Sequence, residues 1–330
     1  MHKFLLPAQL ENILRSAGRL GPDTRILSVM PEALQGGLVG NVQRLYVSYA
    51  HTPGPGTFIL KLPSYQLTES AAFSQTEACF YQQAGHWFPG IPAPVCYAGD
   101  ENYLLLEELH NGCFVKQLAG CNAAQAQLVI RQIAQLHAQW WDRDLPAGLH
   151  WVQALNTAPA GIFCTQRLQA YSGEWPALLQ AYLPRITNRL NKLQSLLLAA
   201  PRTVVHGDYH SQNIFFREDS VTLIDFQFMQ QACGMLDVAR FIATSLSTEL
   251  RRSIEHSLLE AYRACLHAQG ILYPLQQCLQ DYKAALLWNL LPPVALHLVN
   301  MEAGKPWPAQ FPILQKCIAA IEDHEAMQVL

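Results

Sequence analysis

Short stretches rich in β-branched and aromatic residues dominate the first third of the chain. They predict five strands, over residues 25–30, 42–50, 57–62, 94–98 and 103–107. Residues 51–56 contain two Pro and two Gly, so we expect the second and third strands to pair as a hairpin. Helical periodicity predicts a short amphipathic helix over residues 7–17 and a longer helix over residues 70–83.

Apolar residues recur at helical spacing through most of the remaining chain. The clearest helix is predicted over residues 122–141, where Asn122 is placed to cap the first turn. Further helices are predicted over residues 176–198, 237–246, 249–269 and 274–291, with a β-rich segment over residues 203–228 between them. This order predicts an α+β fold with a first domain over residues 1–108 and a larger, mainly helical domain over residues 109–330.

The bulk composition limits the classes of function. Half of the 330 residues are hydrophobic and 14% are charged, which is typical of a folded protein with a large core. The net charge of −3 and the lack of a long basic run argue against nucleic acid as a partner, and no basic amphipathic helix indicates a membrane surface. With no signal peptide or spanning segment predicted, we expect a soluble, cytoplasmic protein whose nine cysteines are free thiols.

The strongest chemical signal is the segment V-V-H-G-D-Y-H-S-Q-N-I-F-F, followed by V-T-L-I-D-F-Q. Asp208 lies five residues before Asn213, and Asp225 lies twelve residues after Asn213. The Asp-to-Asn spacing matches the catalytic loop of protein kinases, in which one carboxylate orients the attacking hydroxyl group. A second carboxylate and an amide then hold Mg²⁺ against the phosphates of ATP. The alternative is a turn-rich loop whose Asp and Asn make local backbone bonds.

Lys61 is the single charge in the apolar segment T-F-I-L-K-L-P. An unpaired ammonium group would be costly there, so we expect it to hold the α- and β-phosphates and to pair with Glu77 on the following helix. The alternatives are a lysine that extends to solvent and a solvated glutamate, and Glu69 competes with Glu77 as the partner.

Two backbone elements complete the predicted nucleotide site. Gly36, Gly37 and Gly40 lie between the first two strands, where their N–H groups could approach phosphates closely. The segment Y-L-L-L-E-E-L leads into the junction between the two domains, and the backbone from Glu107 to Leu109 is the candidate contact for adenine.

Two further residues are assigned structural roles. Asp237 follows a glycine at the start of a predicted helix, where it would cap the helix and hold the catalytic loop. His137 falls on an apolar helix face and is interpreted as a buried histidine with its hydrogen bonds satisfied.

Together these motifs resemble the aminoglycoside phosphotransferase and choline kinase superfamily and, within it, the ecdysteroid-kinase-like (CHK-kinase-like) phosphotransferases. The resemblance also includes L-L-L-E-E-L, I-A-Q-L-H-A-Q-W-W and D-Y-K-A-A-L-L, and it covers roughly residues 25–295. It implies a protein-kinase-like bilobal fold, Asp208 as the catalytic residue, Asn213 and Asp225 as Mg²⁺ ligands, and ATP as the phosphoryl donor. The chain departs from the family pattern at His210 and Gln212.

The acceptor is expected to be a small molecule with a hydroxyl group. Only about a dozen residues separate Asp225 from Asp237, which is too few for the activation segment of a protein kinase. A polycationic acceptor is disfavoured by four basic residues, Arg167, Arg185, Arg189 and Lys192. Aromatic residues near them favour a largely apolar acceptor such as a sterol, a polyketide or a hydroxy acid. The alternatives are an aminoglycoside- or choline-type kinase, a non-catalytic nucleotide-binding pseudokinase, and nucleotidyl transfer to a protein.

Overall fold

The computed structural model describes residues 6–34, 40–50, 54–63, 70–155, 177–294 and 311–330. The chain forms two compact units. Unit 1 comprises Met1–Cys113 and Thr222–Phe228, and unit 2 comprises Phe114–Val221 and Met229–Leu330. Unit 1 therefore includes a short segment, residues 222–228, that the predicted division of the sequence assigned to the second domain.

Unit 1 is built on a five-stranded antiparallel sheet with the strand order β1-β2-β3-β5-β4. The strands are β1 (Arg25–Ala33), β2 (Gly40–Ala50), β3 (Thr57–Pro63), β4 (Cys96–Asp100) and β5 (Tyr103–Glu107). The predicted hairpin of β2 and β3 is present, and in its register Lys61 lies opposite Val42. On the other edge of β3, Lys61 pairs with Leu104 of β5. These contacts place Lys61 on the central strand of the sheet.

Two helices belong to unit 1, α1 (Pro7–Ser16) and α2 (Ser70–Trp87). Leu10 and Leu14 of α1 are buried one turn apart, as expected for an amphipathic helix. They join a core that includes Phe58, Leu60 and Leu105 from the middle of the sheet. Glu11 fixes α1 to the first strand, because its carboxylate accepts a hydrogen bond from the Ile26 N–H (3.0 Å).

Unit 2 is mainly helical, as the sequence predicts. Its helices are α3 (Ala123–Trp140), α4 (Ala177–Gln180), α5 (Leu183–Asn188), α6 (Leu190–Ala199), α7 (Met235–Ser245), α8 (Thr248–Ala268), α9 (Leu275–Asn289) and α10 (Phe311–Asp323). Asn122 caps α3 as predicted, because its side chain accepts a hydrogen bond from the Gln125 N–H (2.9 Å). The strands β7 (Arg202–Val205) and β10 (Gln230–Cys233) form a two-stranded antiparallel sheet, and the loop that contains Asp208 lies between them in the sequence.

Three further short strands lie among the described residues: β6 (Cys113–Phe114), β8 (Ile214–Phe216) and β9 (Val221–Leu223). The prediction of one continuous helix over residues 176–198 is wrong, because three short helices, α4 to α6, occupy its described part. Pro184 lies in the first turn of α5. Since proline has no N–H to donate, it favours a helix start at this point over a continuous helix.

No helix among the described residues combines the length and the apolar character needed to cross a membrane. The eight cysteines that fall in the described ranges are all free thiols, in agreement with the sequence-based expectation for those positions.

Candidate active site

The first group of predicted site residues lies in unit 1 and is centred on Lys61. Its ammonium nitrogen Nζ lies 2.6 Å from Glu77 Oε2 and 2.7 Å from Asp225 Oδ1. Lys61 comes from the central strand β3, Glu77 from α2, and Asp225 from the residues that follow β9. The structure therefore brings together three side chains that the sequence places far apart, and it selects Glu77 as a partner of Lys61.

Burial and pairing act in opposite directions on this group. Burial would lower the pKa of Lys61, but the carboxylates of Glu77 and Asp225 outweigh it and raise that pKa above its ordinary value. Lys61 therefore stays charged. Burial raises the pKa of Glu77 against the opposing effect of Lys61. Two carboxylates surround one ammonium group, so the group has a formal charge of −1 when all three are ionised.

Asp225 has an unusual backbone conformation. Its φ of 68° lies in the left-handed region, which few residues other than glycine adopt. Phe226, the next residue, stacks on Phe80 of α2 with a ring-centroid distance of 3.6 Å. Gln227 Nε2 lies 3.4 Å from Asp225 Oδ2. The packing of Phe226 and the ion pair with Lys61 hold Asp225 from both sides in a conformation that costs energy on its own.

The second group lies in unit 2, on the loop between β7 and β8. Asp208 is ionised and well supplied with hydrogen-bond donors: Arg240 Nη2 lies 2.7 Å from Oδ1, and Oδ2 lies 3.2 Å from both His210 Nε2 and Asn213 Nδ2. Burial opposes ionisation, but His210 and Arg240 overcome it and hold the pKa of Asp208 well below its ordinary value. Asp208 is therefore a carboxylate at all physiological pH values.

The tautomer of His210 follows from its hydrogen bonds. Its Nδ1 accepts a hydrogen bond from the Gln212 N–H (3.3 Å), so in the neutral ring the hydrogen is on Nε2, which points to Asp208. In this tautomer, His210 donates a hydrogen bond from Nε2 to the Asp208 carboxylate within the loop. Its position, where the chain departs from the family pattern, is directly beside the predicted catalytic residue.

Asp237 holds the backbone of this loop. Its Oδ2 accepts a hydrogen bond from the His206 N–H (2.6 Å), and its Oδ1 accepts one from the Gly207 N–H (2.9 Å). Gly207 has a φ of 85°, a value that glycine adopts without strain. Asp237 itself is 1% exposed. The predicted role of holding the loop is confirmed, but the predicted helix cap is wrong, because Gly234 is the N-cap of the helix Met235–Ser245 and Asp237 lies in its first turn.

His137 connects Asp237 to the buried core. Its Nε2 lies 3.2 Å from Asp237 Oδ2, and its Nδ1 lies 2.8 Å from the Tyr262 hydroxyl group. The ring is fully buried. The interpretation as a buried histidine with satisfied hydrogen bonds is confirmed.

Arg240 was missed by sequence reasoning. It lies on α7 three residues after Asp237, and this spacing places both side chains on one helix face. One helix face thus contacts the loop of residues 206–213 twice. Asp237 accepts hydrogen bonds from the loop backbone, and Arg240 donates one to the Asp208 carboxylate. The spacing D-V-A-R alone does not identify Arg240, because its contact with Asp208 joins residues that are 32 positions apart in the sequence.

The remaining predicted residues belong to the expected adenine and phosphate contacts. Gly36 and Gly37 lie outside the described residues, and Gly40 is the first residue of β2. The Glu107 carboxylate accepts a hydrogen bond from the Val95 N–H (3.0 Å), so its side chain binds the backbone just before β4. Leu109 follows β5, and within the described ranges its backbone N–H and C=O have no protein partner.

Asn213 of unit 2 and Asp225 of unit 1 each carry an oxygen atom of a kind that suits a hard cation. Asn213 Nδ2 donates to the Asp208 carbonyl oxygen (3.0 Å) and to its carboxylate, which leaves the amide oxygen as the free atom. Asp225 belongs to a group with excess negative charge. Carboxylate and amide oxygens are ligands of the kind that Mg²⁺ prefers. No cluster of three or more His, Cys, Asp or Glu side chains suited to a metal occurs among the residues that the structure describes.

Comparison with known proteins agrees with these features. The sequence model of the ecdysteroid kinase-like family matches residues 155–271, a range that contains the loop with Asp208, Asp225 and α7. The resemblance to ecdysteroid-kinase-like proteins predicted from the sequence is confirmed. No curated protein matches the chain.

Three solved structures illustrate the fold. A choline/ethanolamine kinase family protein from Mesorhizobium loti superimposes with a TM-score of 0.59 at 13% identity, over 98% of this chain and 97% of the other. The complex of gentamicin with APH(2″)-IIa gives 0.58 at 12% identity, over 98% and 99%. LicA in complex with AMP gives 0.58 at 12% identity, over 96% and 98%. At these identities the likeness shows the fold, and the predicted α+β, kinase-like fold is confirmed.

Proposed function

We propose that the protein transfers the γ-phosphoryl group of ATP to a hydroxyl group of a small acceptor. The observation that carries the proposal is Lys61, whose ammonium group lies within 2.7 Å of both Glu77 and Asp225. A strand lysine paired with a helix glutamate is the arrangement with which protein kinases hold nucleotide phosphates, and an aspartate of that fold holds Mg²⁺. The AMP complex of a protein with the same fold supports a nucleotide as the donor.

The two groups of residues supply different parts of the reaction. Lys61 would hold the α- and β-phosphates, with Glu77 keeping it in place, and Asn213 and Asp225 would hold Mg²⁺, which neutralises phosphate charge when bound. Asp208 would accept a hydrogen bond from the acceptor hydroxyl group. The hydroxyl oxygen forms a bond to the γ-phosphorus, the bond to the β-bridging oxygen breaks, ADP leaves, and the hydroxyl proton passes to Asp208 as the new bond forms.

The low pKa of Asp208 defines how it would act. A carboxylate that binds protons so weakly is a poor base toward a free alcohol, whose proton is held far more tightly. It orients the hydroxyl group in the ground state and takes the proton only as the oxygen loses electron density to phosphorus. This order suits the loose transition state of phosphoryl transfer.

The acceptor class remains part of the proposal. Of the basic residues that argued for this acceptor class, Arg167 lies outside the described residues and Arg185, Arg189 and Lys192 lie inside them. Among those inside, Arg189 and Lys192 both donate to the Leu330 carbonyl oxygen, and the Tyr182 hydroxyl group donates to Glu322 (2.5 Å). Structures of the same fold are named for choline, ethanolamine and gentamicin, so cationic acceptors are the competing class.

A screen for phosphate monoesters tests the proposal. Wild-type protein and Mg²⁺-ATP are incubated with pooled sterols, polyketides, hydroxy acids, sugars, choline and aminoglycosides, and products are identified by mass spectrometry. Asp208→Asn is the matched control, and we expect it to bind Mg²⁺-ATP normally while turnover falls by a factor of roughly 10²–10⁴. Nucleotide binding without any product would favour a pseudokinase, and AMP attached to a protein would favour nucleotidyl transfer.

A further inference from the structure

Arg240 is the charged partner of the proposed catalytic residue. Its guanidinium nitrogen Nη2 lies 2.7 Å from Asp208 Oδ1, and the two side chains are 14% and 20% exposed. His210 Nε2 lies 3.2 Å from the other carboxylate oxygen, and its Nδ1 accepts a hydrogen bond from the Gln212 N–H. The guanidinium charge therefore cancels the carboxylate charge at the place where the acceptor hydroxyl group would lie.

We propose that Arg240 determines the charge of the acceptor: alcohols with a neutral or anionic group next to the reacting hydroxyl are accepted, and alcohols with an ammonium group there are rejected. This inference rests on the proposed function, because it gives the acceptor class of the same site. It makes Arg240 a specificity-determining residue, whereas the orientation of the hydroxyl group is assigned to Asp208.

The physical basis is the balance of two opposite charges. A carboxylate alone attracts an ammonium group, and at roughly 6 Å with an effective dielectric constant near 20 this attraction changes affinity on the order of 100-fold. With Arg240 beside Asp208, an approaching cation meets a neutral pair whose positive member repels it. A neutral alcohol experiences neither effect, and a carboxylate substituent gains an attraction to the guanidinium group.

The position of Arg240 is fixed by its helix, and it retains a spare donor. Asp237, three residues earlier on α7, is bound to the loop backbone, which holds that helix face against Asp208. The Arg240 Nε atom is buried and has no hydrogen-bond partner among the described residues.

A matched pair of alcohols tests the inference. Choline and 3,3-dimethylbutan-1-ol have the same shape and differ only in the quaternary nitrogen or carbon atom. Their dissociation constants are measured by titration NMR in the presence of Mg²⁺ and a non-hydrolysable ATP analogue. The proteins are wild type, Arg240→Gln, Arg240→Lys, and Arg252→Gln, which removes a cation paired with Asp323 on another helix.

We expect wild type to prefer the neutral alcohol and Arg240→Gln to shift the affinity ratio toward choline by at least tenfold. Arg240→Lys and Arg252→Gln should keep the wild-type ratio, and adding Asp208→Asn to Arg240→Gln should restore it. The inference is overturned if wild type prefers choline, or if Arg240→Gln shifts the ratio less than threefold or binds no choline at all. Failure of the proposed function would be seen separately, as lack of binding of the nucleotide analogue to wild type.

Discussion

Replacing Asp237 with asparagine tests how the loop that carries Asp208 is held. The change keeps the side-chain shape but replaces one acceptor oxygen with an NH₂ group, which would then face a backbone N–H from His206 or Gly207. The loop loses one hydrogen bond to a charged group, worth about 1.5–3 kcal/mol, and one buried donor is left without an acceptor at a further cost of about 1–3 kcal/mol. Asp237 is 1% exposed, so water cannot compensate. We expect unit 2 to lose about 3 kcal/mol of stability.

The assay combines urea denaturation with hydrogen exchange. Because two compact units need not unfold together, exchange of the His206 and Gly207 amide hydrogens reports the loop itself. Asp144→Asn is the control, since Asp144 is 93% exposed in its ion pair with Arg202 and should change stability by less than about 0.5 kcal/mol. The role of Asp237 in holding the loop would be refuted if Asp237→Asn lowered the free energy of unfolding by less than about 1 kcal/mol and both amide hydrogens stayed protected from exchange.

Two further predictions concern unit 1. Glu77→Gln leaves Lys61 with Asp225 as its remaining carboxylate partner, so we expect calorimetry to show roughly tenfold weaker binding of a Mg²⁺-bound ATP analogue; unchanged affinity would contradict the positioning role of Glu77. The hydrogen bond from the Ile26 N–H and the contact with Arg25 lower the pKa of Glu11 from 4.5 to about 2. A lowered folded-state pKa stabilises the fold above pH 4.5, and this contribution disappears as the pH falls from 4.5 to 2. Denaturation of Glu11→Gln should therefore depend less on pH over that window than wild type does, and identical pH profiles would contradict the prediction.

The pairing of Lys61 was predictable because leaving its charge unpaired in an apolar strand would cost free energy. A lone charge in an apolar strand needs a partner, and the structure supplies Glu77 at 2.6 Å. The α3 helix was predictable for a similar local reason, since Asn122 caps it and its apolar residues keep one period. In both cases the free energy that decides the structure comes from residues that are identifiable in the sequence itself.

Features that depend on contacts distant in sequence were not predictable. In the sequence, Arg240 looks like an ordinary helix residue. Its role becomes identifiable only when the structure places the loop that begins near His206 against α7. The left-handed backbone of Asp225 depends on Phe226 stacking against Phe80, which lies far away in the chain. The division of residues 176–198 into three helices had a local signal in Pro184, but helical periodicity across it outweighed that signal in the sequence interpretation.

The backbone of Asp225 affects how variants at this position can be interpreted. At a φ of 68°, alanine carries a steric cost that glycine avoids, and asparagine tolerates this region better than most residues. An alanine scan therefore changes two variables together, the charge next to Lys61 and the ease of forming the turn. Glycine removes the charge and relaxes the turn, whereas asparagine removes the charge and keeps both the turn and the side-chain shape. Of these three replacements, asparagine is the one whose effect can be assigned to electrostatics.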